Sequence, residues 1–78
     1  MNQCIVNVVG NSVFVAFNQI VENGKIEVWK TGNKTEPVEQ TSFKQTNFLN
    51  MDTPKEKGKY RLEINIDGEH ITKPISIS

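Results

Sequence analysis

"EKGKYRLEINIDGEH", residues 56–70, alternates apolar and polar side chains up to an Asp-Gly pair, and the alternation resumes beyond it. Alternation of period two marks a strand with one face on a core. Asp-Gly between two such runs marks a two-residue hairpin, because a type I′ turn needs positive φ at both central residues. With Asp67 and Gly68 in those places, Ile66 opposes Glu69, Ile64 opposes Ile71, Leu62 opposes Lys73 and Tyr60 opposes Ile75. On the other face Asn65 meets His70 and Glu63 meets Thr72. One face is therefore apolar except at Lys73, and the other is polar throughout. Pro74 removes a ladder donor and Lys73 points inward beside it, the marks of a sheet edge or bulge that resists further pairing.

Working outward, strand signals recur and helix signals do not. "CIVNVV" (4–9) is followed by a Gly10-Asn11 turn, then by "SVFVAF" (12–17) with Val13, Val15 and Phe17 on one face. Glu22-Asn23-Gly24 reads as the next turn, since Asn-Gly tolerates positive φ. "KIEVWK" (25–30) then sends Ile26 and Val28 inward and Lys25, Glu27 and Trp29 outward. Residues 31–45 carry turn chemistry ("TGNKTEP") and a weak strand ("VEQTSF") anchored by Val38 and Phe43. "NFLNM" (47–51) is a short apolar run of ambiguous parity, and Pro54 holds Thr53 extended. Short strands with a turn every eight to twelve residues predict an all-β sandwich or small barrel, here about seven antiparallel strands in one domain over residues 1–78.

The totals set bounds on function. A chain of 78 residues buries roughly 60–65% of its unfolded surface, so the core is thin. Nine basic residues balance nine acidic ones, which argues against the basic stripe that nucleic-acid binding needs. Lys55, Lys57 and Lys59 cluster, but Glu56 interrupts them. The single cysteine, Cys4, has no internal disulfide partner, and its alternating apolar context predicts a buried thiol rather than a reactive one. No apolar run reaches the ~18 residues of a membrane-spanning helix, and no leader-like segment precedes the first strand. Either the chain is cytoplasmic, or a leader has been removed and Met1 is an added initiator.

"E-K-G-K-Y-R-L" (56–62) resembles the Asp-x-Gly-x-Tyr-x-Cys signature opening strand F of immunoglobulin-type sandwiches. Glu56 stands at the acidic position, Gly58 at the glycine, Tyr60 at the tyrosine corner and Leu62 at the cysteine. A corner tyrosine packs its ring inward while its hydroxyl bonds backbone a few residues upstream. Two departures stand out: the chain lacks the cysteine pair, and Trp29 is out of phase with the inward Ile26 and Val28. Over nearly its whole length the chain is similar to small, uncharacterised immunoglobulin-like sandwich proteins exported by gut anaerobes. The elements "GNSVFVAF", "GKIEVWKTG" and "GKYRLEINIDG…ISI" carry that similarity. The strand–glycine–tyrosine–strand ending also resembles C-terminal sorting domains of larger secreted proteins. The resemblance implies an immunoglobulin-like fold and an exported location (periplasm, cell surface or medium), and it brings no catalytic residues.

The residues themselves offer little chemistry. His70, the one histidine, falls on the polar hairpin face with no serine placed beside it by any motif, and Glu63 and Glu69 share that solvated face. Gly24 and Gly32 read as turn glycines rather than a phosphate cradle. No catalytic, metal or cofactor site is expected. Two outward aromatics, Trp29 and Phe14, are the candidate contacts for a partner, and an exposed indole could stack on a sugar ring. The expectation is a non-enzymatic interaction or structural module for an unknown protein or glycan, with self-association through sheet edges as a further option. A carbohydrate-binding module built on Trp29 is the alternative. Tyr60, Gly58, Asp67 and Gly68 are assigned structural roles.

Overall fold

A computed structural model describes residues 3–33 and 35–78; Met1, an added initiator in one of the two readings above, and Lys34 of the polar connection lie outside them. Five strands follow in order: β1 (Cys4–Val9), β2 (Ser12–Lys30), β3 (Glu39–Asp52), β4 (Gly58–Ile66) and β5 (Glu69–Ile77). All pairings are antiparallel, and no helix occurs among the described residues. The all-β expectation holds, but the strands number five rather than about seven, and they form one curled sheet, a half-barrel.

The curl is forced by length. At ~3.3 Å per residue a straight 19-residue strand would run about 60 Å, whereas the longest dimension of the molecule is 31 Å. β2 must therefore bend, and β3 bends with it. Ala16 pairs with Phe48 and Val21 with Thr46, so residues 17–20 of β2 pass while Asn47 alone passes on β3. Gln45 takes a positive φ of 51° next to this corner. Before the bend, β2 lies between β1 and the end of β3; after it, between β4 and the start of β3, with β5 beyond β4. Strands that switch layers at a bulge are how orthogonal sheets share a corner.

The core lies inside the curl: Val13, Val15, Phe17, Val21, Ile26 and Val28 of β2 meet Tyr60, Leu62, Ile64 and Ile66 of β4. Cys4 and Met51 close it from one layer and Ile75 from the other. Burial pushes the Cys4 thiol above its ordinary pKa, against a smaller opposing influence of the nearby Lys73 ammonium. The thiol is thus held in its protonated, unreactive form.

The hairpin has the register inferred from its sequence, from Ile66–Glu69 through Tyr60–Ile75. Asp67 (φ 45°) and Gly68 (φ 85°) form the turn in the left-handed region. Asp67 does a second job. Its carboxylate accepts the backbone N–H groups of Glu22 (3.2 Å) and Asn23 (3.0 Å), and its own N–H donates to the Asn23 carbonyl (3.1 Å). The hairpin tip is thereby clipped to the bend of β2. The tyrosine corner is also present: the Tyr60 hydroxyl donates to the Glu56 carbonyl at 2.8 Å. The Glu56 carboxylate takes Lys30 Nζ at 2.7 Å, which lowers the carboxyl's pKa and raises that of the ammonium.

The turn expected at Asn23-Gly24 is instead continuous strand. Gly24 pairs with Phe43 on one side and Ile66 on the other, and its φ is not positive. The position needs glycine because the Phe43 ring lies over it: an added Cβ would overlap the ring. From there Phe43 stacks on Phe17, with centroids 5.6 Å apart and planes at 19°. The inward phase still slips across this segment, from Val21 to Ile26, which is why the two halves read as separate strands.

Two stability measurements test these contacts. Gly24→Ala is expected to destabilise by about 1–3 kcal/mol, as overpacking does, and to be neutral or stabilising in a Phe43→Ala background. Equal costs in both backgrounds would remove the ring-over-glycine account. Tyr60→Phe is expected to cost about 0.5–1.5 kcal/mol, the worth of one hydrogen bond, seen as a lower urea midpoint at unchanged slope.

Candidate interaction surfaces

The outward positions of the curl form two faces of opposite character. On the layer made by β4, β5 and the second half of β2, they carry a ladder of polar groups. Glu63 is its hub: Thr72 Oγ donates to it at 2.6 Å, His70 Nε2 lies 3.4 Å away and Arg61 Nε 3.7 Å. His70 Nδ1 is 2.7 Å from Asn65 Oδ1, its cross-strand neighbour. The Thr72 hydrogen bond above all, and then the neighbouring cations against the cost of burial, hold the Glu63 carboxyl below its ordinary pKa. A lowered folded-state pKa gives stability that is present above the unfolded value and lost as pH falls through the folded one. The ladder therefore weakens on the acid side of the ordinary glutamate range.

Trp29 sits on this face as its parity required, half-buried rather than bare. Its cross-strand partner Arg61 lies over the ring, the guanidinium carbon 5.2 Å from the centroid. Its indole N–H donates to Glu27 at 3.4 Å. The cation–π contact and the hydrogen bond occupy both handles an indole offers a ligand, its ring face and its N–H. His70 is exposed, with its neighbours drawn from the same ladder. No group of three or more His, Cys, Asp or Glu residues is placed to hold a metal among the described residues.

The other layer, made by β1, the first half of β2 and the end of β3, is different. Its outward rows, read across the three strands, are Ile5–Ala16–Phe48, Asn7–Phe14–Asn50 and Val9–Ser12–Asp52. Phe14 stacks on Phe48, with centroids 5.9 Å apart and planes at 26°. Ile5 is 64% exposed, Val9 62% and Phe48 51%. This is an apolar, aromatic sheet face with one charge, Asp52, at its margin.

Phe14 is thus outward, as expected, but it shares no patch with Trp29. The two stand fifteen positions apart on one strand, on either side of the bend, and belong to different layers. The partner of Phe14 is Phe48, which sequence reasoning passed over. Its parity was hidden by the break at Gln45 and Asn47, and the only signal that could have exposed it was the register with Ala16. Tyr60, Gly58, Asp67 and Gly68 all hold structural places, at the corner and the turn.

No helix among the described residues is long and apolar enough to cross a membrane, a statement that leaves β-strand spans untouched. No protein-family model matches the chain, and no curated protein is significantly similar to it.

Because Arg61 screens the indole, Arg61→Ala is expected to raise the acrylamide quenching of Trp29 and red-shift its emission. An unchanged spectrum and quenching constant would show that something else covers the ring.

Proposed function

We propose that the protein is a non-enzymatic interaction module acting outside the cytoplasm, and that its contact with a partner protein runs over the outward face of Ile5, Phe14, Ala16 and Phe48. The observation that carries this reading is the stacked Phe14–Phe48 pair on the outward face of three strands, with Phe48 exposed and Phe14 half-buried beside it. An aromatic pair at the centre of an uncharged patch, with Asn7 and Asn50 beside it as hydrogen-bonding groups, has the composition of an interface centre. The exported location and the immunoglobulin-like relationship rest on the sequence resemblance, to which the Tyr60 corner lends support as a shared local device.

Carbohydrate binding through Trp29 is the second reading. The half-exposed indole amid Arg61, Glu27 and Glu63 favours it, since sugars bind where an aromatic meets planar polar groups. It requires Arg61 to swing off the ring first, so it ranks below the Phe48 face.

Capture from the extracellular fraction of the source organism separates the two. With Phe48→Ser, binding of a captured protein is expected to weaken at least tenfold, while folding stability falls by no more than about 1 kcal/mol, the scale of one cross-strand pair. Trp29→Ala is expected to leave that binding intact. Loss with Trp29→Ala, together with competition by a soluble glycan, would favour the carbohydrate reading; binding indifferent to Phe48 would end the first.

A further inference from the structure

Three strands of the half-barrel have an unpaired edge, because β1 and β3 each pair only with β2, and β5 only with β4. Open edges recruit further strands unless something blocks them. On β5, Lys73 and Pro74 stand mid-strand. On β3, Glu39, Lys44 and Asp52 supply charge, and the bend at Gln45 denies a straight partner the full length. β1 carries no such residue, and β5 comes close to it without pairing. Cys4–Val9 reads CIVNVV, with no charge, no proline and no glycine, and four of its six residues are β-branched. It is also poorly covered: besides Ile5 and Val9, Val8 is 37% exposed although it pairs with the buried Val13 on the inward side.

We propose that β1 is a self-association edge, at which β1 of a second copy pairs antiparallel with Asn7 on the twofold axis. A twofold perpendicular to the sheet keeps every side chain on its own face, so the register must centre on a residue. Centred on Asn7, Ile5 meets Val9 of the second copy, Val6 meets Val8, and the two Asn7 amides meet each other. Apolar thus faces apolar on both sides, and the inward Val8 gains the cover it lacks. Centring on Val6 instead would set Ile5 against Asn7, and would draw in Cys4, which is already buried in the core.

The pattern of β1 points to a second copy as the occupant, because its apolar residues are placed symmetrically about Asn7. β1 opposes no like charges in this register, and the molecule carries no net charge to hold copies apart. The overlap of residues 5–9 is a single-strand contact about 17 Å long, a small patch beside the ~800 Å² that each partner buries in a stable complex. The dimer is accordingly reversible and forms in concentrated solution. It would join the two outward aromatic faces into one continuous sheet surface. It does not depend on that face binding anything, so the two readings stand or fall separately.

The test is sedimentation equilibrium from about 10 μM to about 1 mM, with a disulfide trap beside it. The wild type is expected to shift from monomer to dimer across that range. Asn7→Lys, an exposed substitution that opposes two ammonium groups at the axis, is expected to weaken the dimer at least tenfold; Phe48→Ser is expected to leave it unchanged. In a Cys4→Ala background, Asn7→Cys should cross-link readily. Ile5→Cys should not, because its mate would lie about 13 Å away, beyond disulfide reach. A wild type that stays monomeric at 1 mM would overturn the proposal. So would a dimer abolished by Phe48→Ser but not by Asn7→Lys, or equal cross-linking at residues 5 and 7.

Discussion

The carboxylate of Asp67 reaches forty-four residues back along the chain to hold the backbone N–H groups of Asn23 and Glu22. Those groups sit just past the bend by which β2 passes from one layer into the other. Strand length forces the bend, and this clip ties the hairpin tip to the chain beside it. With the bend held, the first half of β2 lines one side of the core and the second half the other. β3 is carried round the same corner, and Phe43 comes to lie over Gly24 and against Phe17. A charged acceptor on two backbone donors is stronger than a neutral hydrogen bond. Here it joins the most local element of the molecule, a two-residue turn, to the least local one.

How much of this could be read from the chain depended on distance along it. The β4–β5 hairpin was legible to the residue, because a period-two pattern and an Asp-Gly turn leave one register that keeps apolar side chains together. The corner role of Tyr60 was legible from the resemblance of residues 56–62 to the strand F signature, and its acceptor lies only four residues away. The continuity of β2 was not. Asn23-Gly24 has two physical uses, a tight turn or a close approach by another side chain, and choosing between them needs Phe43, nineteen residues further on. The inward phase slips at the same place, so pattern and turn chemistry agreed on a break that the chain does not make. Trp29 was assigned to the right face, but its cover, Arg61, could be named only once β2 was known to pair with β4. Phe48 was hidden by an irregular strand.

The two outward faces divide the surface chemically. One is a closed ladder in which Glu63, Thr72, His70, Asn65, Arg61 and Trp29 satisfy one another. Such a face is well solvated and has few groups to spare for a ligand. The other face has Phe48 and its aliphatic flanks open to water, and the strand that borders it, β1, carries the fewest guarding residues of the sheet edges. That asymmetry is the basis for locating interaction on the layer built from the first half of the chain's long strand.

Sharing β2 between both layers also has a consequence for how the molecule comes apart. In a sandwich of separate sheets, one sheet can loosen while the other keeps its hydrogen bonds. In this chain the same nineteen residues supply the central strand of each layer, and their side chains are the largest single share of one continuous core. Fraying of either layer pulls on the corner that defines the other, so a stable half-folded species has nothing to rest on. For so small a core this coupling is protective, because loss of one layer takes with it the strand on which the other is built.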